Sequence, residues 1–571
     1  MALIKRILVR ILATIGALVV LAIISAGVIA WFFLPGPAPL PDRMVLTLDL
    51  RDGLDEVSND PFETLRLGNR PTLSRVVMAL DAASRDPAVV GVLVRLDGQG
   101  PGFGQLQELR DAVTRFRAAD KRTVAFADSF GEFSSGNGGY YLASAFERID
   151  IQPVGVLGLT GLYLETPLAR GLLDKVGVLP AGDRRGAYKT LYDTFAESEM
   201  TPAHRESMES LASSLNEQFV AGLSEGRGLA PEEIDQLIDG GPYLAAEALP
   251  LGLVDRLSYW QELHEEMRDL AGSDGAMVHL MDYAATRETP SDAPVVALVH
   301  GIGQIQRGDS GQSPVGGWTM GGDTVAQALS DAIDDPDVEA ILFRISSGGG
   351  SAVASATIGH QVRRAVEAGK PVIASMGDVA ASGGYWIAMD ASRIVADPGT
   401  LTGSIGVVAG KPVLNALWRE VGVAWGHAQR GANADMWTTT TNYSPRGRAR
   451  LEAFLDGVYG AFTEGVAQGR ELPLDQVLEV AQGRVWTGAQ AKERGLVDSL
   501  GGFAEALAVT REEIGLDPDA AVALRSYPAP RDLWDQALEL ALGARTPMPS
   551  IEAWLGQLAP GILGSAPITI R

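Results

Sequence analysis

The chain has 571 residues, no cysteine, and a formal charge of −24 at pH 7 with a pI near 4.7. Disulfides, thiolate metal sites and cysteine nucleophiles are therefore excluded. The acidic balance argues against a nucleic-acid partner, which calls for a basic face, and the length allows several domains.

From the N-terminus, residues 1–10 carry Lys5, Arg6 and Arg10, and residues 11–34 carry no charge at all. That run exceeds the roughly 20 residues needed to cross a bilayer core. It is predicted as a transmembrane anchor, with residues 1–10 cytoplasmic and the remainder outside the cytoplasm, since positive charge stays inside. A cleaved signal peptide would have a shorter apolar region and a small-residue cleavage site. Residues 35–43 form a Pro-rich spacer.

The rest is a duplication. At a constant offset of 245, GGYYLASAFERIDIQPVGVLGLTG from Gly138 aligns with GGYWIAMDASRIVADPGTLTGSIG from Gly383, and the register holds through VGV at Val176 and Val421 and RGA at Arg185 and Arg430. The first copy is placed at 44–270 and the second at 294–515, joined by a polar linker at 271–293 and followed by a tail at 516–571. Apolar runs at 44–50, 89–96 and 123–127 predict strands of the first copy, and runs at 295–300, 339–345 and 371–375 those of the second. Helical stretches intervene, so the expected class is α/β with mainly parallel sheets. In the tail, 533–542 has an amphipathic pattern without an assigned role.

Three aligned positions differ in chemistry: Asn137 faces Ser382, Leu159 faces Ser404, and Lys189 faces Ala434. A serine nucleophile needs a proton acceptor, and a lysine kept neutral by burial can serve. Each copy holds half of that pair, so one composite site is expected where the copies meet. Ser382 follows an apolar strand and precedes YWIAMDA, which is predicted helical; an N-cap serine is the plainer alternative. Gly349 and Gly350, after a second strand, are candidate oxyanion donors alongside Gly383, although a glycine-rich strand end is also an ordinary tight turn. Only seven lysines occur against forty arginines, which cannot act as bases. Lys411, near Ser404 in sequence, is the competitor to Lys189. The six histidines form no metal-binding spacing, so no metal or cofactor is expected. The G-x-S-x-G elbow is absent.

In GDVAASGGYWIA, TLTGSIGV and the YK of RRGAYKT, the chain resembles the long, tandem-repeat form of the signal peptide peptidase A family, membrane-anchored Ser/Lys proteases. The resemblance runs from the anchor to GLVDSLGG. It implies two tandem Clp protease/crotonase-like domains, Ser382 as nucleophile, Lys189 as general base and Ser404 as the hydroxyl that orients the lysine. It further implies a homo-tetramer that degrades remnant signal peptides at the outer face of the cytoplasmic membrane. The chain departs from the family's R-x-N-S-P-G-G-S at Arg344–Ser351, which reads RISSGGGS. Two other readings share parts of this pattern: a crotonase-type acyl-CoA enzyme and a non-catalytic membrane scaffold.

Overall fold

VVGVLVRL at Val89–Leu96 and VEAILFRISS at Val338–Ser347 are nearly continuous apolar runs buried on both faces, the pattern of a parallel strand covered by helices. A computed structural model describes residues 39–57 and 70–529, apart from 99, 274, 288–289 and 314–316, together with the backbone of 569–570. The predicted anchor and the amphipathic segment at 533–542 lie outside these residues. Among the described residues no helix is long and apolar enough to cross a membrane.

The main sheet of the first unit has six strands, β1 (Met44–Asp49), β2 (Val89–Leu96), β3 (Arg122–Ala127), β4 (Arg148–Ile151), β5 (Arg256–Leu257) and β6 (Ala276–His279). They lie in the order β6-β1-β2-β3-β4-β5, every pair parallel. The main sheet of the second unit has β7 (Val295–Ile302), β8 (Val338–Ser347), β9 (Val372–Ala381), β10 (Arg393–Ala396), β11 (Leu401–Gly403), β12 (Val485–Thr487), β13 (Ser499–Leu500) and β14 (Ala523–Tyr527). Its main path is β12-β11-β9-β8-β7-β14, and β10 and β13 branch from β9. The chain is thus α/β with two repeated sheets, the first parallel throughout and the second parallel except where β12 pairs antiparallel with β11.

Two expected boundaries move. The supposed linker at 271–293 contains β6, which pairs with β1, and the turn of helix after it buries Leu280 and Tyr283. The supposed tail contains β14, which pairs with β7 in the same way. Each unit therefore closes its sheet with a late edge strand. Both strands are short and only partly buried, AMVH and ALRSY, so hydrophobic patterning alone does not reveal them.

Two of the features that fasten the units bear on the site. Leu179–Arg185 of the first unit pairs antiparallel with Val407–Val413 of the second. Elsewhere Arg344 on β8, 1 % exposed, reaches Glu56 at 2.9 and 3.0 Å, Glu108 at 2.6 Å and Ser375 at 3.1 Å. Glu108 stands on α1 (Phe103–Ala118) and also accepts the N–H of Phe503 at 2.8 Å. Burial pushes the Glu56 carboxyl up, but the Arg344 guanidinium outweighs it and holds the group below its ordinary range. A buried charge of this kind is tolerated only when paired.

Candidate active site

β9 changes partner along its length. Ile373–Met376 pairs with β10, and Val379–Ala381 pairs with β11. Its register against β8 slips between the two halves, where Gly377 and Asp378 lie. The strand ends at Ser382, which begins α2 (Gly383–Trp386). That helix is shorter than YWIAMDA suggested, because tight turns closed by Ala388 N–H to Tyr385 and Ala391 N–H to Ala388 take over.

Ser382 has φ 56° and ψ −117°, and Ser404, just beyond β11, has φ 52°. Such angles are uncommon for residues other than glycine and cost on the order of 1–3 kcal/mol each. Ser382 makes no side-chain capping bond, so the N-cap alternative does not describe it. Its backbone N–H is fixed by the Gly403 carbonyl at 2.8 Å, and the Ser404 N–H by the Arg484 carbonyl at 2.7 Å.

Lys189 arrives from the other unit. It follows the strand Leu179–Arg185, and its amine lies 2.8 Å from Ser382 Oγ, 2.9 Å from Ser404 Oγ and 2.8 Å from the Ser404 carbonyl. Burial alone lowers its pKa from 10.5 to about 7, because desolvation penalises the ammonium form. The backbone around it is docked on Gln482 and Gly483: Tyr188 N–H bonds the Gln482 carbonyl at 2.9 Å, and a Cβ on Gly483 would stand 2.6 Å from that of Lys189. Only glycine fits there, and Gly483 is a site-building residue that the sequence reading missed. Its signal was a lone glycine in AQGRVW, too common to interpret.

Lys411 is elsewhere. Its ammonium sits over the Tyr443 ring at 4.5 Å and 3.5 Å from the Asp435 carbonyl. Among the described bonds it makes none to Ser382 or Ser404.

The glycine-rich turn after β8 packs directly on the serine. A Cβ on Gly349 would come within 2.7 Å of the Gly383 nitrogen and 2.8 Å of Ser382 Cβ, and one on Gly383 within 3.2 Å of the Gly350 nitrogen. The Gly349 N–H is already given to Ser347 Oγ at 3.1 Å. Gly349 is therefore not a free donor, contrary to expectation. Gly350 pairs with Ile305 through its neighbours' groups, which turns its own N–H away from that bridge.

The vacated positions of the first unit look different. Asn137 starts the matching helix, Asn137–Ala143, and its amide is spent on the loop opposite: Oδ1 accepts Thr160 N–H at 3.0 Å and Nδ2 donates to the Gly161 carbonyl at 2.6 Å. Leu159 is wholly buried, and Ala434 is exposed.

A mixed α/β frame that brings a strained serine, a second hydroxyl and a buried neutral-leaning amine within bonding distance has the equipment of a serine hydrolase. The model of peptidase family S49 matches residues 115–274 and 364–517, one segment in each unit; the chain belongs to that family and is a serine protease. It is 32% identical over 505 residues to Protease 4 of Haemophilus influenzae, covering 85% of this chain and 79% of that one. It is 29% identical to the chloroplastic serine protease SPPA of Arabidopsis thaliana, covering 84% and 70%, and 32% identical to Protease 4 of Salmonella typhi, covering 77% and 72%. The acyl-CoA and scaffold readings give way to a peptidase.

Proposed function

We propose that the protein is a Ser/Lys-dyad endopeptidase that degrades cleaved signal peptides and other apolar peptides at the outer face of the cytoplasmic membrane. The observation that carries this reading is the 2.8 Å approach of the buried Lys189 amine to Ser382 Oγ. Neutral Lys189 takes the serine proton, the alkoxide attacks a peptide carbonyl, and the N–H groups of Gly383 and Gly350 receive the oxyanion. Lys189, now protonated, returns its proton to the leaving amine, and water clears the acyl-enzyme by the same route. Ser404, bonded to the amine through its hydroxyl and its carbonyl, keeps the lysine aimed.

The substrate class draws support from a relative in Enterococcus faecium whose name includes signal peptide peptidase, 32% identical over 180 residues. The remaining parts of the proposal are tandem Clp protease/crotonase-like domains, anchoring through residues 11–34, N-terminus in, and assembly as a homo-tetramer. A fluorophosphonate or peptide-aldehyde probe tests the chemistry: the adduct is expected on Ser382, located by mass spectrometry, and absent from the Lys189→Ala protein. An adduct elsewhere, or none on folded parental protein, overturns the dyad.

A further inference from the structure

Behind the lysine lies a buried ionic group that the hydrolysis itself does not use. Asp193, with no exposed surface, accepts from Arg184 Nη1 and, at 3.1 Å, from Thr201 Oγ1; His204 Nδ1 stands 3.6 Å away. The same Arg184 nitrogen reaches the Lys189 carbonyl at 3.3 Å. Thr201 is the N-cap of the 26-residue helix Pro202–Arg227. That helix lies across the second unit, where Ser210 meets Gln490 at 3.2 Å, Ser214 meets Thr487 at 2.9 Å and Gln218 meets the Pro398 carbonyl at 3.2 Å. Asp193 thus joins the loop that carries Lys189 to a strut resting on the serine-bearing unit.

The duplication provides an internal comparison. At the constant offset of 245, Gln429 stands at the place of Arg184 and Thr438 at that of Asp193. The ion pair occurs in the copy with the lysine and not in the copy with Ala434. The segments also differ in fold: Leu179–Arg185 is a strand, whereas 424–430 forms none and is exposed, so the pair belongs to a segment that is built only beside the lysine.

We propose that Asp193, acting through Arg184, is a positioning residue for Lys189, fixing the loop that holds the amine beside Ser382. This rests on the reading of Lys189 as the base. No charged group contributes to lowering the lysine; burial does so alone. The ionic groups behind it are Arg184 at its carbonyl, Asp193 beyond, and Arg484 against the Tyr188 ring at 4.8 Å. Loosening the loop therefore lets water reach the amine and raises the pH at which it becomes neutral.

The test compares pH–rate profiles of the full chain on one apolar peptide substrate. Asp193→Asn is expected to lower kcat about 30-fold with KM within about twofold, and to move the acid limb of kcat/KM upward by about one pH unit. Asp193→Glu returns the limb toward its parental position. A folded Asp193→Asn protein with an unmoved limb overturns the inference, including when activity falls only in step with the folded fraction. Should Asp193→Asn fail to fold, Arg184→Lys keeps a charge beside Asp193 but lacks the reach to the Lys189 carbonyl. Its limb is expected to move in the same direction, and an unmoved limb there overturns the inference too. If Lys189→Ala itself stays active, the dyad reading fails; if Lys189→Ala is dead and the limbs are unmoved, only the positioning role fails.

Discussion

The two copies of one turn, around Asn137 and around Ser382, differ in backbone strain as well as in side chains. In the second unit Ser382 and Ser404 both have positive φ, as does Gly403, the last residue of β11. In the first unit the matching Asn137, Leu159 and Gly158 are absent from the positive-φ positions. There the amide of Asn137 bonds the backbone and Leu159 fills the space of a hydroxyl. At these three aligned positions positive φ accompanies the hydroxyls that face the amine, and satisfied packing accompanies their replacements.

The largest expected effect breaks the contrast outright. Ser382→Ala and Lys189→Ala should each lower peptide hydrolysis by about 10³–10⁴-fold while circular dichroism stays parental, and the double variant should be no worse, because the pair works as a unit. Lys411→Ala should keep most activity in the same assay. Equal loss at Lys411 and none at Lys189 would end the composite-site account.

A smaller effect comes from pH. The folded pKa of Lys189 is lowered from 10.5 to about 7, so the base form predominates above pH 7 and is lost as pH falls below it. Steady-state kcat/KM should climb about tenfold per pH unit up to about 7 and then level. A profile that stays flat through this range, with acylation limiting, removes the amine as base.

Ser404→Ala should sharpen the comparison more gently, with kcat down roughly tenfold and KM little changed, since one of the amine's hydrogen bonds disappears while the Ser404 carbonyl remains. Asn137→Ala should do the reverse. It strands the Thr160 N–H and the Gly161 carbonyl, costing about 1–3 kcal/mol in denaturant unfolding of the first unit, with kcat unaltered. The smallest change is expected from Ala434→Lys placed in the Lys189→Ala protein, which should restore nothing because position 434 is exposed and far along the second unit's own loop. Rescue would show that each serine takes a lysine from its own copy.

Much of this was open to inspection in the sequence because it rested on differences between aligned copies. The swap of Asn137 for Ser382 and Leu159 for Ser404 singled out positions, and the scarcity of lysine narrowed the partner to Lys189 or Lys411. The interior strands were equally legible, since Val89–Leu96 was delimited by its apolar run alone. What stayed hidden depended on contacts between distant segments. β6 and β14 are held by neighbours rather than by their own patterning. Asp193 and Arg184 gain meaning only once a carbonyl lies between them and the amine. The Gly349 N–H looked available until Ser347 Oγ was seen to take it.

The Arg344 cluster decides how the halves may dock. A packing slipped by one turn would still bury apolar surface, but it would seal Arg344 away from Glu56 and Glu108, and an unpartnered buried charge costs about 3–5 kcal/mol. In the observed register the Arg344 charge is paired and Lys189 stands against Ser382. On the proposed dyad, a newly made chain whose halves have not yet met carries a serine without a base.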